Sequence, residues 1–462
     1  MRVLATLFTT SVLILSTVGS SAAEQDDQRP SKLNSTTFSE LRLRSIGPAL
    51  MSGRISDIAV DPVKSNTWYV AAGSGNLWKT TNAGTTWTPV FEQYGSYSIG
   101  CVTIDPSNRH TIWVGSGEDV GGRHVGYGDG VYKSTDGGKT FNNVGLKQSD
   151  HIARILVDPR DSDIVYVAAQ GPLWSAGGER GLYKSVDGGK SWQQILAKGL
   201  NTGVTDVVFD PRNADVLYAS THQRHRTVAA LINGGPESGI HKSVDAGKTW
   251  SELKKGLPGE DKGKIGLAVS PLKPDVVYAA IELAGRTGGF WRSADGGQSW
   301  AKMSDYVAGG TGPHYYQEIW ADPHRFDVVY HANVRLGRTE DGGKTWQTVE
   351  SPWKHVDNHA VAFHHSDPDS LLVGCDGGLY RSYDYGKTFH YCANLPLTQF
   401  YKLGLDNDYP FYHVVGGTQD NNTQYGPSRT DNASGIRNSD WITPIGGDGH
   451  DCAIDPKDPN VI

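Results

Sequence analysis

The stretch Ser134-Thr-Asp136-Gly-Gly138-Lys-Thr140-Phe141 recurs with small changes seven times along the chain. The other copies run Thr80–Trp87, Ser185–Trp192, Ser243–Trp250, Ser293–Trp300, Thr339–Trp346 and Ser382–Phe389. Their third positions are Asn82, Asp136, Asp187, Asp245, Asp295, Asp341 and Asp384, spaced 54, 51, 58, 50, 46 and 43 residues apart. A period of this length marks an array of supersecondary units. In each copy the Asp or Asn can accept hydrogen bonds from the turn's own backbone. The Gly can take positive φ, and the aromatic ring can pack between sheets. These seven side chains therefore read as turn formers and not as catalytic acids.

A second pattern lies about thirty residues before each copy: a β-rich run ending in Asp-Pro (Ser270-Pro271 in the fifth repeat), then another β-rich run. Ile55–Pro62 with Thr67–Ala72 and Ile152–Pro159 with Ile164–Ala169 are examples. Proline fixes φ and removes a donor where a ladder must stop. Each repeat thus predicts four strands, A to D, with D starting at the turn aromatic. Four-stranded units repeated in this way close radially and hide their edges. The expected fold is an all-β propeller of four-stranded antiparallel blades, seven of them, over 41–399. Leu41–Ile46 is expected to supply a closing strand. Residues 400–462 read as further partial repeats, the start of a second propeller or an added blade. Phe400–Leu405, His413–Gly417 and Trp441 mark an incomplete eighth repeat, and Cys452-Ala-Ile-Asp455-Pro456 opens a ninth.

Composition agrees with this reading. Among 462 residues there are 57 Gly, 13 Trp and 21 Tyr, and 37% are hydrophobic. Many turns with many aromatics suit an all-β core. The N-terminus reads as a secretory signal over 1–23, with Arg2, the apolar Val3–Val18 and a Ser21-Ala22-Ala23 cleavage site. A polar flexible leader follows over 24–40. A secreted, periplasmic or cell-surface location follows, with no membrane span after cleavage. The formal charge is −7, which disfavours nucleic acid as a partner. Cys101, Cys375, Cys392 and Cys452 are too few to form a disulfide framework and read as small buried hydrophobes on strands.

Propeller topology places the B-to-C and D-to-A connections on one face. The B-to-C segments Gly115–Gly130, Gln170–Gly181, Thr221–Gly239 and Glu282–Gly289 are long, and long loops on a rigid scaffold commonly carry binding function. The ligand-binding candidates are Arg54, Arg123, His124, Tyr127, Arg180, His222, Arg224, Gln419 and Asp420. Aromatics and carboxylates suit sugars, and clustered Arg suits a peptide or acidic ligand; solvated loop charges would read the same way. Glu118, Asp119, Asp129 and Asp357 are the carboxylates available for acid–base work. His355-Val-Asp357-Asn-His359 would put its titratable groups on one side of an extended strand. Asp376 should reach the same rim, so these four could hold a divalent metal. A hydrogen-bonded rim is the alternative.

The repeated turns, the Asp-Pro entries and the opening Ile46-Gly-Pro-Ala-Leu-Met-Ser-Gly53-Arg54-Ile55 resemble the Asp-box (bacterial neuraminidase repeat) propellers. The pattern is similar to the sortilin N-terminal type and to bacterial glycosyl hydrolases, including xyloglucanases with two propellers facing across a cleft. The resemblance implies either a binding propeller for a peptide, protein or glycan, or a glycoside hydrolase. Xyloglucanases carry a catalytic Asp just after strand B of the first blade. The matching position here is Gly73, which has no side chain to move a proton.

Overall fold

Each repeat folds into a four-stranded antiparallel sheet whose strands follow chain order, so every ladder is a meander of hairpins. The computed structural model describes residues 37, 44–122, 125–306, 317–349 and 351–462. Residues 46–462 form one compact unit and residues 1–45 another, of which only Thr37, Arg44 and Ser45 are described. The expected signal and most of the leader therefore lie outside the described residues. So do positions 41–43 of the expected closing strand, while 44–46 form no strand. No helix among the described residues is long and apolar enough to cross a membrane.

Eight sheets are present among the described residues. Their first strands are Ile55–Val60, Ile99–Ile104, Ile152–Asp158, Thr202–Asp210, Lys262–Val269, Glu318–Ala321, Asn358–Phe363 and Lys402–Leu405. Apolar clusters join consecutive sheets from one to seven. One further cluster joins Ile55, Ile58 and Val70 of sheet one to Ala360, Ala362 and Leu372 of sheet seven. Sheet seven thus packs directly on sheet one, and among the described residues no strand is exchanged between them. Arg381 Nη1 of sheet seven donates to the Ala83 carbonyl of sheet one at 3.0 Å. The same link recurs between neighbours: Lys79 reaches Gly137 O, Lys133 reaches Gly188 O, and Lys242 reaches Gly296 O. The segment before sheet one also crosses onto sheet seven, with Ser52 N on Gly377 O at 3.1 Å.

The repeated turns carry local hydrogen bonds of one kind. At Asp341, Oδ1 accepts from the Thr339 hydroxyl (2.8 Å) and the Thr345 amide (3.0 Å), and Oδ2 accepts from the Thr345 hydroxyl (2.7 Å). Asn82 reproduces this pattern, with its Nδ2 donating to Thr86. The fourth strand begins one residue after each turn aromatic, as at Asn142 after Phe141, because that ring leaves its own sheet for the preceding one. Trp192 of sheet three, for example, bonds Val144 O of sheet two at 2.8 Å. At the Asp-Pro entries the carboxylate caps the next turn: Asp61 Oδ1 accepts from Val63 and Lys64 amides, both at 2.9 Å.

Three expectations need correction. The eighth repeat is not partial, since Thr423–Pro427 supplies a third strand and Ile442–Ile445 a fourth. Polar Thr, Gln and Tyr with no Tyr-Lys-Ser run hid that third strand. Two of the long connections are largely strand: sheet four's second strand runs to Arg226 and pairs with Leu231–Asn233, and sheet five's hairpin turns over Ala284–Arg286. Of the cysteines, Cys101 and Cys375 are buried on strands and Cys392 is buried just after one. Cys452 is half-buried outside any strand, and all four are free. Sheet eight also differs from the ring sheets in exposure. Leu403, Leu405, Ile442 and Ile445 are each more than half exposed.

Candidate functional site

The starts of first strands and the ends of second strands meet at one mouth of the ring. Arg54, one residue before Ile55, is the hub. Its Nε donates to Asp376 Oδ1 at 2.7 Å and its Nη1 to Glu118 Oε1 at 2.6 Å. Asp376 follows strand Leu371–Cys375 of sheet seven, and Glu118 follows strand Ile112–Ser116 of sheet two. Arg54 therefore ties three sheets together. A side chain at Gly73 would have its Cβ 2.8 Å from Glu118 Oε1, so the carboxylate of sheet two occupies the space beside that glycine.

His359 Nε2 lies 2.6 Å from Asp376 Oδ1. Burial depresses the His359 pKa in spite of Asp376, so the neutral ring donates its Nε2–H. Burial would raise the Asp376 carboxyl, but Arg54 and His359 hold it well below the usual carboxylate range. Asp357, Asp376 and Asp420 bring carboxylate oxygens within 4.8 Å of one another. Asp420 comes from sheet eight, and its amide donates to Asp448 at 2.8 Å. Burial first, then Asp448 and Asp376, push the Asp420 carboxyl up. Three carboxylates could serve a hard divalent cation.

This grouping is not the expected His355, Asp357, His359, Asp376 set. Asp357 has φ of 59°, and the register shifts between Asn358 and Ala360. A left-handed residue followed by a bulge ends the alternation that would align the three side chains. His355 instead places Nδ1 2.8 Å from Val356 O and Nε2 3.3 Å from Asp420 O. Gln419 accepts from Tyr401 at the same mouth (2.8 Å).

The other candidates lie in braces. Asp119 is buried, with Lys264 Nζ at 3.3 Å, and burial raises its carboxyl pKa against that cation. Asp129 accepts from Tyr132 Oη at 2.5 Å and from Ser116 at 3.2 Å. Arg224 and Arg180 are buried and donate only to main-chain carbonyls, among them Val120 O and Gln170 O. His222 is buried beside them. They do not form an exposed ligand surface, because loops of sheets two and three close over them. Arg123 and His124 lie outside the described residues. Tyr127 is 53% exposed.

Two groups were missed from the sequence. Inside the ring, Arg154 of sheet three reaches Asp206 of sheet four (3.2 Å) and Glu318 of sheet six (2.9 Å). Burial pushes Glu318 up to about 8 although Arg154 opposes it. The only signal was a charged residue among the apolar ones of an inner strand. On the loop face, Trp353 is 87% exposed and Tyr97 60% exposed. Both lie in D-to-A connections, which the sequence reading placed on this face without naming their aromatics.

These features define a β-propeller with a polar mouth where sheets one, two, seven and eight meet. The family model described as "Sortilin, neurotensin receptor 3" (Sortilin-Vps10) matches residues 129–278 and 288–414. The match covers more than half of the chain, which belongs to the Sortilin-Vps10 family. A xyloglucanase from Paenibacillus sp is 26% identical over 315 residues, 66% of this chain and 26% of that protein. One from Hypocrea jecorina (strain QM6a) is 23% identical over 336 residues, 64% of this chain and 38% of that protein. The chain thus spans well under half the length of these relatives. The crystal structure of the GH74 xyloglucanase from Xanthomonas campestris superposes with a TM-score of 0.61 at 16% identity. It covers 82% of this chain and 59% of that one, a likeness of fold.

Proposed function

We propose that this chain is a secreted Asp-box propeller that binds a glycan on its loop-rich face without hydrolysing it. The observation that carries the reading is that, among the described residues of that face, Tyr97, Tyr127 and Trp353 are exposed aromatics. Flat apolar rings with a polar edge suit the faces of pyranose sugars. The xyloglucanase relatives supply a substrate class to try first. Against turnover, Glu118 is engaged by Arg54, Asp119 by Lys264, and Asp129 by Tyr132. A peptide or protein ligand at the same face is the other binding mode that the Sortilin-Vps10 match supports. Export through the signal at 1–23 to the periplasm, cell surface or medium fits either ligand. Sheet eight, with its uncovered Leu403 and Ile442, is taken as the first unit of a further sheet array.

Calorimetric titration with xyloglucan oligosaccharides tests the reading, with and without a chelator for the Asp357–Asp376–Asp420 group. Trp353→Ala is expected to weaken binding at least about tenfold, the loss of one well-packed aromatic contact. Unchanged affinity would discard the aromatic site. A hydrolase is supported by the xyloglucanase relatives and by the Glu118 carboxylate beside Gly73. Glycan cleavage abolished by Glu118→Gln, with binding kept, would establish that alternative.

A further inference from the structure

We propose that Arg180, Arg224, His151 and His222 together hold one small monovalent anion of halide size inside the loop-rich end of sheets two to four. His151 immediately precedes sheet three, Arg180 precedes its third strand, and His222 and Arg224 lie two apart on Asn213–Arg226. All four are at least nine-tenths buried: 0%, 4%, 4% and 2% exposed for His151, Arg180, His222 and Arg224.

Their partners leave a charge and several donors unmatched. Arg224 gives Nη1 to Val120 O (3.1 Å) and Nη2 to Gly171 O (3.3 Å), while its Nε has no acceptor among the described residues. Arg180 gives its nitrogens to the carbonyls of Gly177, Gln170, Ser175 and Pro172. Neither guanidinium forms a salt bridge with a described residue. The acidic groups facing the two arginines are Asp119, already on Lys264, and the half-buried Asp150, one carboxylate shared between Arg180 and Arg224. Neither ring nitrogen of His151 or His222 has a hydrogen bond of ordinary geometry to a described residue. The Glu118 main chain stands near the first ring and the Asn233 side chain near the second.

Buried guanidinium without a counter-charge is costly, and so is a buried N–H without an acceptor. Burial, then the proximity of Arg180, brings the Arg224 pKa down to about 9; burial brings Arg180 down to about 10. Burial and Arg224 hold both imidazoles neutral, so each contributes one N–H. Water would supply an acceptor but no charge; an anion supplies both. Bound there, it pins the loops over which Arg180 and Arg224 are strung, next to Tyr127, whose ring lies 5.7 Å from that of His151.

Crystals of the full chain soaked in sodium bromide test this directly. An anomalous bromide peak within about 3.5 Å of Arg224 Nε is expected. Thermal unfolding in sodium chloride should show a midpoint about 2–4 °C above that in sodium gluconate at equal ionic strength. Arg224→Gln should abolish that difference; the wild-type comparison stands even where the variant does not fold. Ordered water and no bromide at the site would overturn the proposal, whatever the midpoints do.

Discussion

At the scale of single residues, the repeated turns give the cleanest link between sequence and energetics. Their hydrogen bonds lie within five residues of chain, so the pattern alone sufficed to place them. At Asp341, burial would raise the carboxyl, but the Thr345 hydroxyl and amide hold it at about 2. An unfolded Asp titrates near 3.9. The folded value is the lower one, so the contribution is whole above about pH 4 and is lost as pH falls through about 2. Asp341→Ala is expected to cost about 1–2 kcal/mol at pH 7, as for a lost cap. Asp341→Asn should keep most of that stability, because Asn82 makes the same turn, while removing this share of the acid sensitivity. Urea unfolding of the three proteins at pH 7 and 2.5 checks both outcomes. Asp357 shows where residue-level reading stopped. A period of two could not anticipate a left-handed residue followed by a bulge, so the expected His-Asp-His ligand row never forms.

Elements bring together residues far apart in sequence, and the mouth depends on that. Arg54 bridges carboxylates from sheets two and seven, 64 and 322 positions away. Arg54→Gln would leave Glu118 and Asp376 buried without their cation, at a cost of about 3–5 kcal/mol. Adding Glu118→Gln should recover part of it; denaturant midpoints of the single and double variants measure both. Within the ring, burial keeps Glu318 protonated to about pH 8. An unfolded Glu titrates near 4.3. Between these values the folded chain retains a proton that the unfolded chain has lost, so stability falls as pH rises through that window. Glu318→Gln removes that fall. The variant should gain on wild type from pH 5 to 9, and equal pH slopes would contradict the buried, protonated carboxyl. Neither network was legible beforehand, because strand periodicity gives the face of a side chain but not the partner across a ring. The arginines at 180 and 224 were read as surface groups for the same reason: loop length was visible in the sequence, but loop closure was not.

For the whole molecule, the propeller was readable because seven copies of one turn, 43 to 58 residues apart, leave few other ways to bury sheet faces. The Arg381–Ala83 link repeats at the last interface what Lys79–Gly137 does at the first, so one local rule closes the ring. Function was less readable, since the same scaffold presents very different loops. Among the described residues of the loop face, the buried arginines and hydrogen-bonded acids are braced and Tyr97, Tyr127 and Trp353 are exposed, and the proposed glycan binding rests on those three rings. The most direct test of that claim is titration of the wild-type mature chain with a panel of β-glucan and xyloglucan oligosaccharides, followed by product analysis of each mixture. Saturable binding to at least one oligosaccharide with no new reducing ends is the predicted result. Release of products, or no binding to any member of the panel, would contradict it.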